Sequence, residues 1–319
     1  MNKLWIEKYR PQSINEIIGQ DNIVNLLEKM SQNNYLPNML FYGKSGTGKT
    51  SLIHSILKNF YKNNNIFTIM KLDASDDRGI NTVRDEIKGF AEKLSLFSNK
   101  IKIIILDEAD SMTFDAQSAL KRIIEKHIDT TKFCFICNYE NKIIPAIKNR
   151  CISLKFNIIQ KQLIIDRLTF ISKQEKLTIN NECLDIIANI SNGDLRKSIN
   201  ILQSLNNNKL NITKNKCYKI IGIPSNDKVE YLLDLLLNES HSLNFVYKIF
   251  QKEIIDQGYS LSLYLKQTIK ILIDKKLDNI DNTRLCHIIN ETSKLEENVS
   301  NTTFGDIYIL GLVCIFKKN

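Results

Sequence analysis

The chain has 319 residues, of which 43% are hydrophobic and 25% charged, and its formal net charge at pH 7 is +9. This composition excludes a disordered chain, and the length allows two or three domains with cores of their own. No apolar run approaches the length of a membrane span, and the N-terminus lacks the hydrophobic segment of a signal peptide. We therefore expect an intracellular protein without a membrane partner.

The positive charge is concentrated in the first two thirds of the chain. Residues 1–224 hold 33 Lys and Arg against 22 Asp and Glu, a balance of +11. Residues 225–319 hold 11 against 13, a balance of −2. A basic excess of this kind favours a polyanionic partner, nucleic acid before a membrane surface. The alternative is a basic surface that is only solvated.

The seven cysteines follow no disulfide framework, which predicts reduced thiols. Cys134 and Cys137 form a C-x-x-C pair, a spacing that also occurs in zinc and redox sites. They lie in an apolar stretch typical of a strand, where residues three apart point to opposite faces, and no second pair lies nearby. We therefore predict that both thiols are buried in the core.

A glycine-rich segment lies between an apolar run, residues 39–42, and an amphipathic run, residues 51–60. It has the G-x-x-x-x-G-K-S/T pattern of a phosphate-binding P-loop and reads Gly43-Lys44-Ser45-Gly46-Thr47-Gly48-Lys49-Thr50. Glycines let the backbone turn its N–H groups toward phosphate oxygens, and the following helix directs its N-terminus at the same anion. The pattern predicts that Lys49 contacts the β- and γ-phosphates of a nucleotide. It also predicts that Thr50 offers its hydroxyl to Mg²⁺.

Four consecutive apolar residues, 103–106, predict a strand that is buried on both faces of a parallel sheet. Asp107 and Glu108 follow at its carboxyl end, where α/β sheets bind their ligands. Asp107 is placed to hold the Mg²⁺ of the nucleotide, and Glu108 to polarise the attacking water as a general base. An acidic surface turn is the alternative, but the position after a fully apolar strand favours ATP binding and hydrolysis.

The order of the elements divides the chain into three predicted domains. Residues 1–157 alternate short apolar strands with helices, which predicts an α/β domain with a parallel sheet. Residues 158–224 and 225–319 have a helical period throughout, which predicts two all-α domains. Asp21 and Asp115 are predicted to be helix N-caps. The last domain carries no catalytic constellation, so it is interpreted as an oligomerisation module or a structural appendage.

The motifs together resemble the small subunits of replication factor C, which are AAA+ ATPases that load sliding clamps. The resemblance covers the α/β domain and the helical lid after it, and more loosely the C-terminal helices. Three segments carry it: Trp5-Ile6-Glu7-Lys8-Tyr9-Arg10-Pro11, Ala74-Ser75-Asp76-Asp77-Arg78-Gly79-Ile80 and Asp107-Glu108-Ala109-Asp110. A helicase shares the last segment but lacks the first one and the all-α tail.

The resemblance implies a role for several single positions within the subunit. In the family the opening segment lines the adenine pocket, which assigns nucleotide contacts to Ile6, Tyr9 and Arg10. Ile18, after this segment, is also predicted to contact the nucleotide. Asn138 matches sensor 1, which positions the hydrolytic water near the γ-phosphate. Arg196 matches sensor 2, through which the lid contacts the γ-phosphate of the same subunit.

Other positions are implied to act between molecules. Arg150 matches the arginine finger, which reaches into a neighbouring subunit's site and stabilises charge in the transition state. Arg84 and Lys88 fall where the family follows the DNA backbone without reading its sequence. Gln117 falls where the family couples DNA contact to release of the catalytic glutamate. Without the resemblance, these would be interpreted as ordinary surface residues.

Two segments depart from the family pattern. Lys44-Ser45 stands where the family usually has two prolines, and Asn149 precedes the finger where it usually has serine. The glycines, Lys49 and Thr50 of the P-loop remain, so nucleotide binding is expected to persist. Arg150 also remains, so the finger role is kept as a prediction.

The resemblance implies an ATPase subunit in a pentameric ring of sister subunits. With ATP and Mg²⁺ the ring would load a sliding clamp onto primer–template DNA, with hydrolysis stimulated by the DNA. In a eukaryote it would act in the nucleus, otherwise in the cytoplasm or at a viral replication site. The apolar end of a helix predicted over residues 82–96, from Phe90 to Phe97, is predicted to contact the clamp.

Two alternatives to this function stay open at this point. Another AAA+ DNA motor, such as a branch-migration or origin-loading ATPase, would share the α/β domain. Such a motor is expected to carry a winged helix at the C-terminus, and the tail shows no strand pattern for a wing. The other alternative is a nucleotide-holding structural subunit with little hydrolysis, against which the intact Glu108, Asn138 and Arg196 argue.

Overall fold

The computed structural model describes residues 3–61, 68–74, 80–93, 101–206, 212–238, 240–274, 281–300 and 305–317, with the backbone alone for 80–84 and 305–306. Contacts divide the chain into two units, residues 1–177 with 184–203, and residues 178–183 with 204–319. Residues 158–177 and 184–203 thus fall in the same unit as the sheet. The predicted domain boundaries after residues 157 and 224 stay predictions.

A five-stranded parallel sheet forms the centre of the first unit. Its strands are β1 (Met39–Tyr42), β2 (Ile69–Asp73), β3 (Lys102–Asp107), β4 (Thr131–Cys137) and β5 (Ile152–Lys155). The order across the sheet is β2-β3-β4-β1-β5, and all neighbouring strands are parallel. The predicted parallel α/β fold is therefore confirmed. Because the strands are parallel, their carboxyl ends lie along one edge of the sheet.

Helices cover both faces of the sheet. In chain order the helices up to the end of this region are α1 (Trp5–Lys8), α2 (Asp21–Gln32), α3 (Lys49–Tyr61), α4 (Ile80–Glu92), α5 (Phe114–Lys126), α6 (Pro145–Lys148), α7 (Lys161–Gln174), α8 (Asn181–Ser191) and α9 (Leu195–Asn206). One core layer packs α2 and α3 against alternate strand residues. The other layer packs α4 and α5 against the remaining strand residues.

The two cysteines of the C-x-x-C pair lie in different layers of this core. Cys134 belongs to the layer with α2 and α3, and Cys137 to the layer with α4 and α5. Both side chains are buried. Burial raises the pKa of the Cys137 thiol to about 12, and it raises the pKa of Cys134 as well. The prediction of two core thiols is therefore confirmed.

Helix starts are where the sequence-based expectations differ from the structure. Thr113, not Asp115, caps α5, because its hydroxyl accepts from the backbone N–H of Ala116 at 3.3 Å. Asp115 lies one residue inside the helix, where a carboxylate still interacts favourably with the helix dipole. Asp21 is the first residue of α2, and the N-cap position belongs to Gln20, whose side chain makes no capping bond.

A buried lysine at the start of β3 explains where α4 ends. The ammonium of Lys102 donates to the carbonyl oxygens of Phe90 at 3.0 Å and Ala91 at 2.9 Å, and it also contacts that of Lys93. These are carbonyls that the last turn of a helix leaves without partners inside the helix. The predicted helix over residues 82–96 is therefore observed as Ile80–Glu92, while positions 94–97 of the predicted clamp contact lie outside the described residues.

The second unit is helical. It contains α10 (Lys214–Ile221), α11 (Asn226–Leu237), α12 (Leu243–Phe250), a π-helical turn (Gln251–Ile255), α13 (Leu261–Asp274), α14 (Asn282–Ser300) and α15 (Gly305–Lys317). The helices from α11 onward share one core, with Phe250, Tyr264 and Phe316 among its fully buried side chains. All regular elements that the structure describes after residue 225 are helices, as predicted. In the described part of the chain, we find no helix with the length and apolar character of a membrane span.

Candidate nucleotide site

The glycine-rich loop joins β1 to α3, and its shape depends on glycine at two contacts. Gly43, Gly46 and Gly48 have φ angles of 144°, 69° and 97°, which L side chains rarely adopt. A Cβ on Gly43 would collide with the carbonyl oxygen of Phe156. A Cβ on Gly46 would collide with the carboxylate of Asp194, just before α9. The loop is thus packed against two neighbouring segments, those of Phe156 and Asp194.

Replacing Gly46 with alanine is expected to destabilise the protein and weaken nucleotide binding. The left-handed backbone costs a non-glycine residue about 1–2 kcal/mol, and the new methyl group would displace Asp194. Thermal unfolding and ATP titration would measure the two effects. Gly89→Ala is the matched control, because Gly89 lies in α4 with nothing within 4 Å of the added carbon. Equal behaviour of the two variants would contradict this account.

Lys49 lies at the centre of the polar contacts in the loop. Its ammonium donates to the carbonyl oxygens of Gly43 at 2.6 Å and Lys44 at 2.8 Å, and to Oδ1 of Asn138 at 3.0 Å. The residue is only 8% exposed, and burial lowers the pKa of its ammonium. A buried cation of this kind is stabilised by a nearby anion, so the environment of Lys49 suits a phosphate.

The carboxyl end of β3 lies beside the loop. The Thr50 hydroxyl donates to Oδ2 of Asp107 at 3.1 Å, and Lys71 lies 3.9 Å from the same oxygen. Glu108 follows with φ 52° and ψ 37°, a left-handed conformation that is uncommon for a residue with a side chain. Its side chain is exposed, and its backbone N–H donates to Oδ1 of Asp107 at 3.2 Å. Backbone strain of this kind clusters at functional sites.

Asp110 connects the end of β3 to the end of β4. Its Oδ2 accepts the backbone N–H of Asn138 at 3.2 Å and that of Tyr139 at 3.1 Å. Because the Asn138 side chain in turn accepts from Lys49, a single carboxylate fixes the backbone that presents it. Asp110 is therefore a positioning residue for the asparagine predicted to orient the hydrolytic water.

Asp110→Ala is expected to lower the rate of ATP hydrolysis about 10- to 100-fold, the cost of misplacing a reacting group by about 1 Å. ATP affinity should change little, since Asp110 does not line the cavity. Single-turnover hydrolysis and equilibrium binding would separate the two quantities. Asp110→Asn keeps an oxygen acceptor and should retain most of the rate. A loss as large in Asp110→Asn as in Asp110→Ala would argue for a role of the charge instead.

A cavity of about 450 Å³ extends from the loop to the N-terminal residues. It brings together most of the predicted site residues: Ile6, Tyr9, Arg10, Ile18, Ser45, Gly46, Thr47, Gly48, Lys49, Thr50, Asp107, Glu108, Asn138 and Arg196. Gly43 and Lys44 are not part of the lining, but their carbonyls accept from Lys49. Its lining combines apolar side chains, among them Ile17, Ile18 and Ile159, with the polar residues of the loop.

Arg150 lies away from this cavity. Its guanidinium donates to the carbonyl oxygen of Ala146 at 2.6 Å and contacts the carboxylate of Glu125. Lys88 is exposed on α4, and the side chain of Arg84 on the same helix lies outside the described residues. Gln117 is buried, and its three hydrogen bonds go to backbone atoms of Met112, Lys142 and Ile144. The roles given to these four residues stay predictions.

Several residues at the site were missed by sequence reasoning. Arg167 of α7 and Asp73 of β2 both line the cavity. Gln20 is buried and exchanges hydrogen bonds with the backbone of Asn157, at 2.8 and 3.2 Å, which fixes the segment after β5. Only Asp110 lay within a recognised motif. Asp73 ends a strand directly before the segment of residues 74–80. Arg167 and Gln20 had no local signal, because their importance comes from contacts between distant parts of the chain.

The parallel sheet, the loop after β1 and the acidic end of β3 define a P-loop ATPase of the AAA+ class. Residues 39–157 match the family described as "ATPase family associated with various cellular activities (AAA)". Residues 166–206 match the "RCF1/5-like, AAA+ ATPase lid domain", and residues 224–314 the "Replication factor C C-terminal domain".

Relatives match over nearly the whole chain. The probable replication factor C subunit 5 of Dictyostelium discoideum is 38% identical, with 98% of this chain and 90% of the relative covered. Human replication factor C subunit 5 is 35% identical, with 99% and 92% covered, and Saccharomyces cerevisiae subunit 3 is 34% identical, with 94% and 88% covered. The chain belongs to the replication factor C subunit family.

A solved structure supports the fold independently. The RuvB Holliday junction branch migration motor of Thermotoga maritima aligns with a TM-score of 0.55, covering 81% of this chain and 91% of that one. The two sequences are 18% identical, so the likeness shows the shared AAA+ fold alone.

Proposed function

We propose that this chain is the ATPase subunit of a sliding-clamp loader, and that it hydrolyses ATP in response to primer–template DNA. One observation carries the proposal. Lys49, Glu108, Asn138 and Arg196 line one cavity, whereas Arg150 lies outside it. A site whose predicted arginine finger lies outside its own cavity is suited to a ring of subunits, each completing the next. Family membership supports the multi-subunit assembly.

The nucleotide would lie with its phosphates at the loop and its base at the apolar end of the cavity. The buried ammonium of Lys49 and the loop N–H groups would contact the β- and γ-phosphates. Arg196 at the start of α9 would contact the γ-phosphate from the lid. The N-terminal residues Ile6 and Tyr9 would lie against the adenine ring.

Mg²⁺ would be held by Thr50 and Asp107. Their oxygens are 3.1 Å apart and are the hard ligands that Mg²⁺ prefers, usually with one or two protein groups only. No cluster of three or more His, Cys, Asp or Glu suited to a metal occurs among the described residues, which fits a metal held largely by phosphates and water. When bound, Mg²⁺ would neutralise part of the phosphate charge.

Hydrolysis would depend on Glu108 and Asn138. The exposed Glu108 carboxylate would accept a proton from the attacking water, and Asn138 would orient that water. The arginine finger of a neighbouring subunit would stabilise the charge that develops on the transferred phosphoryl group, and Arg150 would do the same in the site of the next subunit. Asp107, beside Thr50, would remain a ligand and not a base.

DNA would bind along α4, the helix to which Lys88 and Arg84 belong. The excess of +11 over residues 1–224 supports a polyanionic partner, and contacts from a lysine on a helix surface read no sequence. Sister subunits, the clamp and primed DNA are thus the proposed partners. The C-terminal helices would form the contact between subunits.

A different AAA+ DNA motor is the second candidate, and the C-terminal region disfavours it. Residues 224–314 match the replication factor C C-terminal domain. In the part of this region that the structure describes, all regular elements are helices, and a winged helix would need strands. A structural subunit with little hydrolysis is disfavoured by the complete set of residues in the cavity.

The ATPase rate of the purified chain, alone and with sister subunits, clamp and primed DNA, tests the proposal. We expect the rate to rise when clamp and primed DNA are both present. Lys49→Ala is expected to abolish hydrolysis by this subunit. A rate that ignores primer ends but responds to junctions or bare duplex would favour the other motor. A rate that stays low in the full assembly and is unchanged by Glu108→Gln would favour the structural subunit.

A further inference from the structure

The N-terminal arm, residues 4–11, cannot hold its own conformation. Its one helix, α1, has four residues, and isolated helices shorter than about 12 residues are marginal in water. Trp5 is nevertheless 6% exposed, and its ring lies edge-to-face against Tyr9 with centroids 6.4 Å apart. Contacts from outside the arm must therefore keep it in place.

Two backbone atoms of the arm are bound by side chains of the lid helices. The N–H of Trp5 donates to Oε1 of Gln203 in α9 at 2.9 Å. The carbonyl oxygen of Tyr9 accepts from Nη2 of Arg167 in α7 at 2.9 Å. The arm is thus attached at both ends of α1, and both attachments belong to the lid.

A third attachment involves a single carboxylate oxygen. Oε1 of Glu175, directly after α7, accepts from the Tyr9 hydroxyl at 2.6 Å and from the Lys8 ammonium at 2.7 Å. The Glu175 side chain is 16% exposed. Burial raises its pKa, but the hydrogen bonds from Lys8 and Tyr9 outweigh burial and leave the pKa below its ordinary value. The carboxylate is therefore ionised at neutral pH and can accept from both donors.

Part of the arm also faces the cavity. Ile6, Tyr9 and Arg10 line it, whereas Glu175 and Gln203 do not. We propose that Glu175 is a positioning residue for nucleotide binding, which holds Tyr9 and thereby fixes the arm as the wall against which the base packs. The inference rests on the proposed placement of the base at this end of the cavity.

Because of these attachments, the lid would act on the nucleotide at two places, the phosphates and the base. The lid carries Arg196 at the phosphate end, where the backbone N–H of Leu195 donates to the carbonyl oxygen of Gly46 at 3.3 Å. Through Glu175 and Arg167 it also carries the wall at the base end. Loss of Glu175 should therefore affect binding of the base and leave binding of the phosphates intact.

The test compares two ligands, ATP and inorganic tripolyphosphate, which has the phosphates but no base. Glu175→Ala in the full chain is expected to weaken ATP about tenfold, the cost of one hydrogen bond to a charged group, and to leave tripolyphosphate unchanged. Glu175→Gln keeps an acceptor for the Tyr9 hydroxyl, so its affinity for ATP should lie between that of the unchanged protein and that of Glu175→Ala. Asp166→Asn is the matched control, because Asp166 is an exposed carboxylate on α7, the helix that Glu175 directly follows.

The outcomes separate the inference from the assignment of the pocket. Equal loss of ATP and tripolyphosphate affinity in Glu175→Ala would indicate general destabilisation and would overturn the inference. Unchanged ATP affinity in Glu175→Ala would also overturn it, provided that Ile6→Ala weakens ATP. If Ile6→Ala leaves ATP affinity unchanged as well, the placement of the base is wrong, and the proposed site fails with it.

Discussion

Glu108→Gln is expected to lower ATP hydrolysis by about 10²- to 10⁴-fold, the range that a positioned general base contributes. The amide has nearly the same shape as the carboxylate but cannot accept the proton of the attacking water. ATP should bind as tightly as before or more tightly, because the Lys49 contacts and the loop are unchanged. The protein would therefore accumulate in its ATP-bound form.

Single-turnover hydrolysis with labelled ATP, beside equilibrium binding, measures both quantities in the assembled complex. Asp129→Asn serves as the control, since Asp129 is an exposed carboxylate between α5 and β4. Hydrolysis that persists in Glu108→Gln would assign the base to another group or show that the water needs none. Loss of ATP binding would show that the left-handed backbone of Glu108 is required for the fold of the loop.

Arg150→Ala is expected to lower DNA-stimulated hydrolysis at the neighbouring site that it completes by about 10³-fold or more, the range found for arginine fingers. Arg150 does not line the cavity of its own subunit. Its guanidinium is hydrogen-bonded to the carbonyl oxygen of Ala146 and paired with the carboxylate of Glu125. ATP binding by the isolated chain should therefore be unaffected. Lysine at this position should not restore the rate, because it lacks the planar fork of five donors.

Arg122→Ala is the matched control, because Arg122 is an exposed arginine on α5, the helix that also carries Glu125. Equal loss in both variants would indicate that the positive charge of this surface matters and not the finger. A fall in the hydrolysis rate of the isolated chain after Arg150→Ala would place its action within its own subunit. Either result would remove the main support for completion of the site by a neighbour.

Much of the site could be predicted because its signals are local. The P-loop and the acidic end of β3 are short runs of defined residue types, and their predicted neighbours, strand and helix, are present in the structure. The opening residues 5–11 had no local signal of their own and were assigned only through a family resemblance. Ile6, Tyr9 and Arg10 of this segment line the cavity, and their contact with the adenine stays a prediction.

The rest depended on contacts that no local pattern encodes. Glu175 is 166 residues from Tyr9 in the chain, and Gln203 is 198 from Trp5. Lys102 carries no signal of its role in the sequence, yet its ammonium binds the carbonyl oxygens at the end of α4. Helix starts were predicted wrongly because Thr113 and Asp115 are both acceptable caps by type, and only the backbone conformation decides between them.

The distribution of the seven thiols gives this protein a chemical reporter of its folded state. Cys134, Cys137, Cys183 and Cys217 are buried and Cys151 is partly covered, whereas Cys286 and Cys314 are exposed on α14 and α15. A maleimide reagent should therefore modify two sites on the folded chain and seven after denaturation. Fluorophores attached in this way would lie only on the C-terminal helices, so assembly could be followed without touching the nucleotide site.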